Sequence, residues 1–176
     1  MHIQSGATSN RMIGGVLSTQ GQILQPPNER SLNSPNGIFV LGDKPYVVDS
    51  GNSRILRFPK YADWPSSTTT PPSAEAVIGQ ASFTDYNTNR GSALPHYGTA
   101  EEPSISFSGP TSAVVAAGEL FVADTFNHRV VVLPDPAATA ADRMGPKRVL
   151  GQQFLDANSP NLVEGREFNL GVVAGI

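Results

Sequence analysis

Three residue types suited to charge-assisted chemistry recur together at two places. Asp49, Asn52 and Arg54 stand in V-D-S-G-N-S-R-I, and Asp124, Asn127 and Arg129 stand in A-D-T-F-N-H-R-V. A carboxylate beside a guanidinium can form a strong ion pair, and such a pair could line a ligand site. A short carboxylate entering a turn can equally accept hydrogen bonds from backbone amides two residues on. Asparagine suits the left-handed position such a turn requires. Because the trio appears twice in the same order, the turn reading is favoured: a turn needs these residues wherever it recurs.

Other candidates for chemistry are sparse. Histidine occurs only as His2, His96 and His128, and there is no cysteine. Metal sites need clustered ligands, so no metal is expected. No Ca²⁺ loop of the D-x-D-x-D-G kind is present, and no G-x-S-x-G elbow. Gly14-Gly15 lacks the lysine and helix start of a phosphate loop. Glu101 and Glu102 are adjacent on a loop, so their side chains point apart and read as solvated charge. No catalytic residue and no cofactor are assigned.

The elements that hold the two trios are themselves repeated. Pro35, Val47, Asp49, Asn52, Arg54 and Pro59 match Pro110, Val122, Asp124, Asn127, Arg129 and Pro134, each pair separated by 75 positions without a gap. Internal repetition settles architecture before single residues do. The first unit predicts four short strands: Gly37 to Leu41, Pro45 to Asp49, Arg54 to Phe58 and Glu75 to Ile78. The second predicts Thr111 to Ala116, Leu120 to Asp124, Arg129 to Leu133 and Lys147 to Leu150. Two-residue alternation, tight turns and the lack of helical periodicity make the chain all-β, with four-stranded antiparallel sheets. The loop from Asp135 to Gly145 is alanine-rich and could hold one helical turn. Ile38, Val40, Val47, Ile55, Phe58 and Val77 are expected to cover sheet faces, as are Val114, Phe121, Val130, Val132 and Val149.

Composition bounds the rest. The chain has 176 residues, 17 glycines, 15 prolines and a net charge of −3, with 12 basic and 15 acidic residues. That length can bury a real core. Without a basic excess, nucleic acid is not an expected partner. No apolar run approaches the ~20 residues of a membrane helix, so no membrane partner is expected. No uninterrupted apolar segment of a secretory signal stands near the N-terminus, and the compartment stays open between cytosol and export as part of a longer chain.

The segments between the sheets carry the remaining signals. Arg11 to Gly15 resembles Ala76 to Gln80 and Arg148 to Gln152, and reads as the trailing strand of a preceding unit. Phe83, Asp85 and Asn87 align with Phe154, Asp156 and Asn158, each 71 apart. Residues 168 to 173 read as the first strand of a further unit. The organisation is therefore an N-terminal segment (1–33), a sheet unit (34–79), a connection (80–108), a second sheet unit (109–151), and a last connection with its strand (152–176). The first connection gathers Asp85, Tyr86, Asn87, Asn89, Arg90, His96 and Tyr97. Aromatic rings with amides and charges suit protein, peptide or carbohydrate ligands; an ordered loop without a ligand is the alternative.

The words P-x-G-I, V-L-G-Q-x-F and V-A-D-T-x-N-x-R-V, here at Pro35 to Ile38, Val149 to Phe154 and Val122 to Val130, resemble the NHL repeat of bacterial long-unit proteins, whose second word runs V-L-G-Q-x-x-F. The likeness covers residues 34 to 160. It departs at Thr111-Ser112, where that repeat has a residue followed by glycine, which puts the local turn in question. The resemblance implies a β-propeller, commonly of six blades, with two complete blades here. It implies a binding or scaffold domain; the alternative is a propeller enzyme of lyase or lactonase type completed by further blades. A two-blade array exposes sheet faces and edges, so self-association of chains to close a ring is also expected.

Overall fold

The computed structural model describes residues 11–15, 26–66, 70–96, 105–141 and 144–160. Two four-stranded antiparallel sheets form an all-β fold. The first runs in order through β1 (Pro35–Leu41), β2 (Lys44–Asp49), β3 (Arg54–Arg57) and β4 (Ala76–Ile78). The second runs through β5 (Pro110–Ala116), β6 (Glu119–Asp124), β7 (Arg129–Pro134) and β8 (Arg148–Leu150). All eight expected strands form, with ends shifted by one or two residues. The alanine-rich loop does make one turn, in which Asp135 O accepts the amides of Ala138 and Thr139.

The repeat extends to register. β1 pairs with β2 through Ile38↔Val47 and Val40↔Pro45, with a bulge between Pro35 and Gly37. β5 pairs with β6 through Ala113↔Val122 and Val115↔Leu120, with the same bulge between Pro110 and Ser112. Ser112 in place of glycine therefore leaves the local backbone unchanged. The glycine matters elsewhere. A Cβ on Gly37 would stand 3.2 Å from Val48 Cγ2 and 3.4 Å from Thr111 O, because β5 lies against β1 there. Gly37 answers to close approach between sheets, whereas Ser112 is exposed.

Each strand alternates between two faces, which we call front and back. The front of the first sheet carries Phe39, Tyr46, Val48, Ile55 and Ile78, and its back carries Ile38, Val40, Val47, Leu56 and Val77. By register, the back of the second sheet carries Ala113, Val115, Leu120, Val122, Val131 and Leu133. The main core lies where the front of the first sheet meets the back of the second, joined by Ile105, Phe107 and Met144. Phe39 and Tyr46 stack there at 4.8 Å. A smaller cluster on the back of the first sheet joins Val47, Leu56, Phe58 and Ala74 to Ile13, Leu32, Trp64 and Phe83.

Several expectations are corrected. Ile38, Val40 and Val114 are 66%, 63% and 56% exposed, so they cover nothing among the described residues; each stands on a face with no sheet against it. Phe121 is half-buried for the same reason. Residues 11–15 form no strand, since no ladder partner lies beside them among the described residues, although Ile13 does pack on the first sheet. The further strand expected at 168–173 lies outside the described residues.

Candidate functional site

The two Asp–Asn–Arg trios are buried cages. Asp49 accepts the Asn33 amide at 2.6 Å on one oxygen, and Asn52 Nδ2 at 2.9 Å and Arg54 Nε at 2.7 Å on the other. Asp124 accepts the Ser108 amide at 2.7 Å, Asn127 Nδ2 at 2.8 Å and Arg129 Nε at 2.7 Å. Arg54 and Arg129 are fully buried. Their remaining nitrogens donate to backbone carbonyls: Arg54 to Phe83, Asn28 and Ser31, Arg129 to Leu155 and Ser106. Burial pushes both aspartates above the ordinary carboxylate range, against the lowering pull of the arginine and the donated hydrogen bonds. A carboxylate this enclosed presents no lone pair to solvent.

One detail of the turns is corrected. The left-handed residue is Ser53 at φ 51° and His128 at φ 51°, directly after the asparagine. Asn52 and Asn127 lie inside a short 3₁₀ turn, where their amides reach back to the aspartate. The asparagine is therefore selected for its donor rather than for its backbone freedom.

Gln80 and Gln152 complete each cage, a role that the recurring G-Q pair signals without explaining. Gln80 Nε2 donates to the carbonyls of Asn52, Ser53 and Asn87 at 3.1, 3.3 and 2.9 Å. Gln152 Nε2 donates to those of Asn127, His128 and Ser159 at 3.3, 3.2 and 2.9 Å. These contacts equate Asn87 with Ser159, and the arginine contacts equate Phe83 with Leu155, not with Phe154. The expected alignment is thus displaced by one residue after the glutamine. Phe83 packs on the first sheet, whereas Phe154 is 61% exposed.

The loop residues singled out from the sequence divide. Asp85, Asn87 and Arg90 line one pocket of ≈ 240 Å³ with Gln80 and Ala81. Tyr86 is exposed nearby in sequence but does not line it. Asn89 is turned inward, 5% exposed, and forms a reciprocal amide pair with Asn127 at 3.0 and 2.8 Å. It ties the connection to the second sheet and is withdrawn from ligand contact. His96 is half-buried, and its backbone is paired with Ser106, away from the pocket. Tyr97 lies outside the described residues.

The pocket mixes charge and hydrogen-bonding capacity. Asp85 accepts a hydrogen bond from Ser82 Oγ at 2.8 Å. Gln80 Oε1 is buried and without a partner, because its amide nitrogen is committed to three carbonyls. Asn89 and Arg90 adopt left-handed backbone, φ 49° and 56°, followed by Gly91 at φ 84°. Two consecutive non-glycine residues in that region cost about 1–2 kcal/mol each. The Asn89–Asn127 pair and the bond from the Asn89 amide to Phe107 O at 2.8 Å hold them there. Among the described residues no group of three or more His, Asp or Glu is placed to hold a metal ion, and no helix is long and apolar enough to cross a membrane.

No protein-family model and no curated protein matches this sequence.

Proposed function

We propose that this chain is part of an NHL-type β-propeller that serves as a binding or scaffold module, with a peptide, protein or carbohydrate engaged at the pocket of Gln80, Ala81, Asp85, Asn87 and Arg90. The observation that carries the reading is the backbone at Asn89 and Arg90. A buried amide pair anchors one strained residue and so presents the next at the pocket. Strain of this kind collects at ligand clamps. The pocket offers a carboxylate and a guanidinium, a mixture suited to hydroxyl or amide groups. Its ≈ 240 Å³ falls below the ~300–1,000 Å³ of a site enclosing a whole small molecule. It suits one side chain or one sugar ring of a larger ligand.

The test is parallel screening of the protein on peptide and glycan arrays, repeated with Asp85→Asn and Arg90→Ala. Binding to one ligand class, lost in both variants while their melting temperatures hold, is expected. Hits that survive both substitutions, or an absence of hits on both arrays, would refute the assignment.

A further inference from the structure

We propose that the outer edge of β4 accepts an extended acidic segment of a partner protein, held by Arg57 and by main-chain pairing. This surface goes beyond the pocket of Gln80, Asp85 and Arg90 and shares no lining residue with it. β4 ends the first sheet and pairs with β3 alone. Among the described residues no hydrogen bond reaches its other side. The backbone groups there can therefore take one more strand.

A cleft of ≈ 330 Å³ lies along that edge, and its walls come from both sheet units. Arg57 stands on the front of the first sheet opposite Ala76, and Ala140 and Ala141 of the second unit close the front side. Val77 and Phe83, both half-buried, form the back wall. Alternate side chains of an added strand point to opposite faces. One of them meets Arg57 and the two alanines, and the next meets Val77 and Phe83. The fitting sequence is therefore an acidic residue flanked by apolar ones.

Charge selects the acidic residue. The side chain of Arg57 is 26% exposed, and its Nε is buried without a hydrogen-bond partner. A guanidinium short of acceptors favours a carboxylate, which can take two of its donors. Glu75 Oε2 stands 3.5 Å away, but that oxygen already accepts Lys44 Nζ at 2.6 Å. Two cations face one carboxylate, which leaves one positive charge at the cleft.

The second sheet supplies an internal comparison. There the pair Val132↔Arg148 replaces Arg57↔Ala76, and the Lys44–Glu75 bridge returns as Glu119–Lys147 with its charges exchanged. Val132 is buried, and Arg148 donates to Glu119. The extra cation is thus satisfied at the second rim, and the first rim is the one that selects a carboxylate. Because β4 spans three residues, main-chain bonds are few and Arg57 carries most of the selectivity.

The test is isothermal titration calorimetry of the 176-residue chain with two acetylated, amidated peptides, Thr-Val-Glu-Val-Thr and Thr-Val-Gln-Val-Thr. The acidic peptide is expected to bind at least ~10-fold more tightly, as one charge-assisted hydrogen bond implies, and Arg57→Gln should abolish that advantage. Ala140→Trp fills the cleft, keeps the arginine and should weaken both peptides. Arg148→Gln should leave the acidic peptide's affinity unchanged. Ala140 and Arg148 are exposed, and unchanged circular dichroism and melting would confirm that the variants fold; if Arg57→Gln does not fold, Ala140→Trp carries the test. Equal affinity for the two peptides, no binding up to ~1 mM, or an acidic preference that survives in folded Arg57→Gln would overturn the proposal. So would a loss of binding in Arg148→Gln, undiminished binding in Ala140→Trp, or a mass above monomer in light scattering that Ala140→Trp abolishes, which would assign the edge to a second copy of the chain.

Discussion

Replacing Arg129 with leucine tests whether the cage holds the second sheet together. Arg129 is fully buried and donates to Asp124, Leu155 O and Ser106 O. Leucine removes all three bonds and leaves the Asp124 carboxylate with only the Ser108 amide and Asn127. Stranding one member of a buried ion pair costs about 3–5 kcal/mol. Against a total of ~5–15 kcal/mol for a domain this is a large fraction. Arg129→Lys keeps a positive charge but loses the planar fork, so it should fall between wild type and leucine. Arg54→Leu serves as an internal replicate, since the first sheet repeats the same contacts. The assay is urea unfolding at one low protein concentration, because association would add to apparent stability. pH supplies a second readout. A carboxylate whose folded value is raised contributes stability that is complete below its unfolded value of ~3.9 and is lost as pH rises through the folded value. Removing Arg129 takes away a lowering influence and raises Asp124 further. The deficit of Arg129→Leu should therefore be largest at neutral pH and shrink on acidification. A loss under ~1 kcal/mol at pH 7 would place the arginine in the range of an exposed ion pair and refute the cage as a stabilising unit.

Further outcomes follow from the same geometry. Gln80→Ala should cost about 2–3 kcal/mol in chemical unfolding by leaving the carbonyls of Asn52, Ser53 and Asn87 without their shared donor, and Gln80→Glu should cost more, since a carboxylate can only repel them. Gly79→Ala should destabilise more than a left-handed backbone alone, ~1–2 kcal/mol, because the new Cβ would stand 2.3 Å from Phe107 Cδ2 at a residue with φ 97°; an unchanged melting temperature would show that Phe107 moves aside freely. Glu119 lies below the ordinary carboxylate range, chiefly through its hydrogen bond from Lys147. Its contribution is present above the unfolded value of ~4.3 and is lost as pH falls through the lowered value. Glu119→Gln should therefore flatten the acid limb of the stability–pH curve, an effect that salt should erase.

The two sheets are legible in the linear pattern alone. Alternating apolar residues, turn-forming Gly-Asp and Ser-Gly-Asn pairs and a 75-residue repeat specify eight short strands through local geometry, and local geometry is what a linear pattern can carry. It also marked Asp49, Arg54, Asp124 and Arg129 as turn structure, because a duplicated trio answers to a duplicated backbone need. It could not say which faces are covered. Ile38 and Ile55 look alike in a strand, yet one is 66% exposed and the other fully buried, since coverage depends on which sheet lies opposite. Nor could it assign Asn89, whose amide partner Asn127 lies 38 positions away, or Gln80, whose acceptors are backbone carbonyls from two separate turns. Carbonyl acceptors carry no sequence signature, so the groups that bind distant segments together were decided only when the chain folded in three dimensions.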